Sequence, residues 1–218
     1  MWKFVILLVA TLALVSAQDA PAATVPQNCS AIVESLDWNN TALFGTWQEV
    51  ARNPIGDAKA CLEFTVGLLH DNVTLSINAS HSSSSTSLFQ NVDEKANVTL
   101  VANAKTGYNV TFFQGSTPQA PVYIKLLQIV NSTYITGCGY TNATDNSTSY
   151  GFILGAPNKY TAEGIKLVND GAFPLYNNFL NNTYANITQQ GCSRNSAAQS
   201  LPLISGVLAL ALLLIKAH

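Results

Sequence analysis

The segment Asn72-Val73-Thr74-Leu75-Ser76-Ile77-Asn78-Ala79-Ser80 alternates polar and apolar residues without a break. A repeat of two is the signature of a strand with one dry face and one wet face. Asn72 and Asn78 each open an Asn-x-Ser/Thr sequon. A glycan must face water, so these residues mark the outer face, together with Thr74, Ser76 and Ser80. Val73, Leu75, Ile77 and Ala79 then face inward. Two further segments read the same way. Asn97 and Thr99 oppose Val98, Leu100 and Ala102, and Asn109 and Thr111 oppose Tyr108, Val110 and Phe112, which leaves Phe113 outside. Sugar-bearing outside and apolar inside is thus a property of several strands.

Outward from this stretch, Gly, Asn and Ser clusters cut the chain into short segments rich in β-branched and aromatic residues. The expected strands are 46–51, 61–70, 73–79, 98–102, 108–113, 122–130, 134–139 and 149–154. Eight strands with short turns and no intervening helices predict an antiparallel meander closing into a barrel or a sandwich. One helix is expected near 161–168, with Thr161 as N-cap and Gly171 past its end. Ser82–Ser87 reads as a low-complexity loop. An eight-stranded barrel either fills with side chains or holds one small ligand, and alternation does not distinguish the two.

Composition narrows the function classes. Charged residues make up 10% of the chain and the formal net charge is −2. The scattered Lys and Arg give no basic footprint for nucleic acid. Both ends are apolar. Lys3, the run Phe4–Val15 and the small residues Val15-Ser16-Ala17 predict a signal peptide over 1–17. Twelve apolar residues reach only ~18 Å as helix, short of the ~30 Å hydrocarbon core. At the other end, Ser193-Arg194-Asn195-Ser196-Ala197-Ala198 precedes an apolar tail, Leu201–Ile215. Small residues, a polar spacer and a terminal apolar tail predict a glycosylphosphatidylinositol (GPI) signal over 196–218, with attachment at Asn195. The folded domain is then 18–195, on the outer leaflet of the plasma membrane.

Eleven of 21 Asn residues open sequons. Glycans are expected at Asn39, Asn72, Asn78, Asn97, Asn109, Asn131, Asn142, Asn146, Asn181 and Asn186; Asn28, with Cys29 in its middle position, is the weakest acceptor. Cys29, Cys61, Cys138 and Cys192 predict two disulfides, with three connectivities open. No metal-ligand spacing is present, and neither a metal nor a cofactor is expected. His70 and His81 read as solvated loop residues. No acid–base pair is evident around Glu49, Glu63 or Asp71.

The stretch Leu43-Phe44-Gly45-Thr46-Trp47-Gln48-Glu49-Val50-Ala51-Arg52-Asn53-Pro54 resembles the first signature of the lipocalins, whose core is Gly-x-Trp. Trp38 stands where that family usually has Phe. Cys29, Cys61 and the late Cys192 within Ile187-Thr188-Gln189-Gln190-Gly191-Cys192 are similar to the apolipoprotein D, Lazarillo and insect bilin-binding branch, of which Lazarillo-type proteins are GPI-anchored. The resemblance covers residues 28–192. It implies an all-β, eight-stranded up-and-down barrel with one C-terminal helix, and the pairs Cys29–Cys138 and Cys61–Cys192. The sequence departs from the family at Gln48, which replaces a Tyr, in lacking the Thr-Asp-Tyr motif, and at Gly155-Ala156, where an Arg covering the Trp is usual. The implied function is binding, without catalysis, of a small hydrophobic ligand: a bilin, retinoid, sterol or fatty acyl chain. The expected calyx is Trp47, Val73, Leu75, Ile77, Val98, Leu100, Tyr108, Val110 and Phe112, almost free of charge. The alternative is a GPI-anchored surface recognition glycoprotein with a packed barrel. No protein partner is indicated.

Overall fold

The computed structural model describes residues 25–194 apart from 103, 181 and 182. The expected signal peptide, the GPI signal, Asn195 and Asn181 lie outside the described residues. Eleven strands form one antiparallel sheet: β1 (Gly45–Asn53), β2 (Glu63–Leu68), β3 (Thr74–Ser82), β4 (Gln90–Thr99), β5 (Tyr108–Val110), β6 (Phe113–Gln114), β7 (Thr117–Pro118), β8 (Val122–Val130), β9 (Tyr134–Tyr140), β10 (Tyr150–Gly155) and β11 (Ala185–Asn186). β11 lies off the ring, beside β1, and the other ten count as eight around the barrel. β5 and β6 are two parts of one broken strand, and β7 and β8 are two parts of the next, because β5 pairs with β8 and β6 with β7. The ring runs β5-β8-β9-β10-β1-β2-β3-β4-β6. Its thinnest seam is the single pair Lys95↔Phe113 between β4 and β6.

Several boundaries differ from the expectation. β4 starts at Gln90, eight residues before the expected Val98. Its first half, Gln90 to Lys95, has Val92 as its one apolar residue, so it carries no period-two signal. Its end at Thr99 leaves Ala102 exposed instead of inward. Val73 precedes β3 and is 51% exposed, which removes it from the inner face. Ser80 is the converse case: it is buried, between the Asp93 carboxylate and the Arg194 guanidinium. His81 is a β3 residue, not a loop residue.

The helix α1 (Ala162–Ala172) begins as expected, with the Thr161 hydroxyl accepting from Gly164 N at 3.0 Å. It runs through Gly171 instead of stopping before it. Ile165, Val168, Asn169 and Ala172, spaced three and four apart, form its buried stripe. The stripe packs on the outside of the barrel against Val50, Ala51, Tyr134, Cys138 and Ile153. β1 and β9 are therefore buried on both faces. The second core inside the barrel gathers around Trp38, Leu43, Trp47, Leu75, Ile77 and Phe152.

The disulfides are Cys29–Cys138 and Cys61–Cys192, the pairs that the resemblance implies. The first ties the N-terminal segment to β9. Lys125 reinforces this attachment, its buried ammonium donating to the carbonyls of Cys29 and Ile32. The second joins the β1–β2 connection to the C-terminal strap. That strap pairs with β1 through β11 and with Leu88–Gln90 through Ser193. Of the ten strong sequons, the nine described asparagines are all exposed.

Candidate functional site

One end of the barrel is plugged. Asn40 caps a short 3-10 turn, Thr41–Leu43, and Leu43 O accepts from Trp47 Nε1 at 2.9 Å. Trp38 lies on this plug, its ring 4.8 Å from that of Tyr108. Above the plug, the barrel holds a cavity of about 100 Å³ that opens toward the other end. Its wall is apolar over most of its height: Trp38, Leu43, Trp47, Val66, Leu75, Ile77, Leu126, Ile135, Phe152 and Leu154. A second, more polar chamber follows toward the mouth, with Asp57, Lys59, His81 and Glu94. Arg52, Phe64, Phe112, Ile124 and Tyr150 line both chambers and form a waist between them.

Two glycines of β9 place the rings of that waist. A Cβ on Gly137 would lie 2.4 Å from Phe152 Cζ, and one on Gly139 would lie 2.6 Å from the Tyr150 ring. Only the absence of side chains at these inward positions lets both rings lie across the wall.

Of the nine expected calyx residues, Trp47, Leu75, Ile77 and Phe112 stand on the cavity wall. Val98, Leu100, Tyr108 and Val110 are buried in the inner core beside it. Val73 points to solvent.

The expectation of a calyx almost free of charge is corrected. Glu49 and Arg52 both line the deep cavity. Arg52 Nε donates to Glu49 Oε1 at 2.5 Å and Nη2 to Oε2 at 2.8 Å, a bidentate pair with Glu49 only 2% exposed. The guanidinium also stacks on Tyr150, Cζ 4.3 Å from the ring centroid. Burial works to lower the Arg52 pKa, but the adjacent Glu49 carboxylate more than offsets it, so the group is held charged above its ordinary range. Burial raises the Tyr150 phenol. Glu49 was legible as inward, since it lies two residues after Trp47. Arg52 was not. A β-bulge between Glu49 and Ala51 shifts the register. Val50 and Ala51 both face the outer core, and Arg52 returns to the lumen beside Glu49.

At the mouth, His81 Nε2 lies 3.8 Å from Glu94 Oε2, and His81 Nδ1 is 2.6 Å from Ser82 O. All four cysteines are in disulfides, so no thiol is available for chemistry. Among the described residues no group of His, Cys, Asp and Glu is arranged to hold a metal ion.

No protein-family model and no curated protein sequence matches the chain. Solved structures do. The tryptamine complex of the amine-binding protein of Rhodnius prolixus aligns with a TM-score of 0.58 at 11% identity, over 78% of this chain and 92% of that one. A biogenic amine-binding protein aligns with a TM-score of 0.55 at 11% identity, over 76% and 91%. Insecticyanin from the tobacco hornworm Manduca sexta aligns with a TM-score of 0.53 at 14% identity, over 79% and 89%. What the chain shares with them at such low identity is the fold, an antiparallel β-barrel with one helix, which is the lipocalin fold.

Proposed function

We propose that this protein binds a small hydrophobic ligand inside its barrel, as an extracellular lipocalin of the apolipoprotein D and Lazarillo type tethered to the cell surface. The observation that carries this reading is the apolar cavity above Trp47. A void of this kind removes packing contacts and costs stability, so its retention suits an occupant. The cavity also speaks against the alternative of a packed barrel acting only as a recognition surface. The two disulfides favour an oxidising, extracellular compartment. The exposed sequons are compatible with a glycosylated surface. Binding requires no catalytic group, and the proposal assigns none.

GPI attachment at Asn195 rests on the sequence pattern. The last described residues add a geometric consequence. Ser193 hydrogen-bonds to Leu88, in the β3–β4 connection, and to Gln90, the first residue of β4, at the mouth end of the barrel. An anchor at the next residues tethers the domain by the end through which a ligand enters.

The chain has three Trp residues. Trp2 falls in the proposed signal peptide, so Trp38 and Trp47, both on the cavity wall, carry the fluorescence of the mature domain. Natively purified protein should yield an extractable hydrophobic molecule by mass spectrometry. The stripped protein should change its Trp emission when retinol, cholesterol, biliverdin or palmitate binds. No extract and no change with all four would reject the binding reading. Release from cells by phosphatidylinositol-specific phospholipase C tests the anchor independently.

A further inference from the structure

We propose that the Glu49–Arg52 pair selects ligands that are electrically neutral and carry a hydrogen-bond acceptor, such as a ketone, ester or alcohol oxygen, and rejects both carboxylates and amines. This deepens the calyx reading and rests on it.

The pair lines the deep apolar chamber, and its Arg52 also borders the outer one. Arg52 gives Nε and Nη2 to Glu49, and Nη1 meets no acceptor among the described residues. Arg52 lines the deep cavity and the outer chamber alike, so the guanidinium borders the path of any molecule filling both. A neutral oxygen reaching Nη1 gains a charge-assisted hydrogen bond and leaves the local net charge at zero.

Ions fare differently. A carboxylate entering this space loses its hydration, and the charge that would compensate it is already neutralised by Glu49 in a bidentate pair. An ammonium meets the mirror problem, because Glu49 is occupied by Arg52. Either ion leaves one uncompensated charge among apolar walls. The outer chamber carries Asp57, Lys59, His81 and Glu94 nearer to water.

The test uses one ring skeleton with four ends: 2-acetonaphthone, 2-naphthoate, 2-naphthylmethylamine and 2-ethylnaphthalene, titrated calorimetrically at neutral pH into the stripped mature protein. The ketone should bind at least roughly tenfold more tightly than either ion, and more tightly than the hydrocarbon. In Glu49→Gln the unneutralised Arg52 should reverse the order of ketone and naphthoate. The Glu49→Gln/Arg52→Gln double variant carries no buried charge if the single variant fails to fold. It should lose the ketone's advantage over 2-ethylnaphthalene while keeping the hydrocarbon's affinity. An ion that binds as tightly as the ketone overturns the proposal, as does a ketone with no advantage over the hydrocarbon; the calyx reading survives both. Failure of all four probes to bind overturns the proposal and the calyx reading together.

Discussion

The two cores on either side of the barrel wall differ in what they leave open. Outside, between β1, β9, β10 and α1, Ile153, Ala172, Tyr176 and Phe179 are all at most 2% exposed, and the Cys29–Cys138 disulfide lies among them. Inside, residues of the same chemistry surround a cavity and an ion pair. The same strands supply both, since β1 sends Val50 and Ala51 outward and Trp47, Glu49 and Arg52 inward. The outer core is therefore where stability is concentrated, and the inner core gives up packing for a site.

This division can be broken experimentally. The largest effect is expected from Cys29→Ser/Cys138→Ser, which opens a loop of 109 residues on the outer side. In the chain-entropy model the loss approaches ~4–5 kcal/mol, measured by denaturant unfolding. Ligand affinity of the folded fraction should be unchanged, and a large loss of affinity would show that the two cores are not separable.

A matched pair sharpens the contrast. Ile153→Ala empties the outer core, and Ile135→Ala enlarges the cavity wall. Truncation of a buried Ile costs ~2–5 kcal/mol, more where many neighbours are lost. Ile153→Ala should fall in the upper half of that range and leave binding alone. Ile135→Ala should cost less stability and change ligand affinity. The reverse ranking would mean that the lumen, not the helix face, holds the fold together.

The outer core should also dominate the alkaline limb of stability. Burial pushes the Tyr176 phenol up to about 12 from an ordinary value of 10.0. The folded state thus holds this proton where the unfolded chain has lost it. Stability from this group falls as pH rises above 10, and the fall is complete beyond about 12. Tyr176→Phe should flatten that limb in a urea-midpoint series, and an unchanged slope would count against Tyr176 as its source.

The smallest effect is expected on the wet face. Asn109→Gln removes an exposed sequon residue on β5 and should shift stability by less than ~0.5 kcal/mol. Ligand affinity should stay within about twofold; a tenfold loss, ~1.4 kcal/mol, would reverse the assignment of faces.

How much of this was readable depends on the element. Leu75, Ile77, Val98 and Val110 are inward and Asn78, Asn97 and Asn109 outward as alternation indicated, because a strand with one dry face writes its orientation into its own residues. Thr161 likewise announced the helix start. Composition and periodicity were thus enough for an antiparallel barrel-like domain with a polar exterior, and the resemblance narrowed it to one fold. Tertiary structure decided the rest. The start of β4 has no apolar face because its inner side meets the polar mouth, so no periodicity marked it. Val73 is inward by parity but lies before β3, directly after Asn72, whose backbone φ of 55° belongs to the turn from β2. The charged waist of the calyx depends on one bulge. An extra residue between Glu49 and Arg52 reverses the parity of everything after it, and only the register of β1 against β10 reveals where that residue is.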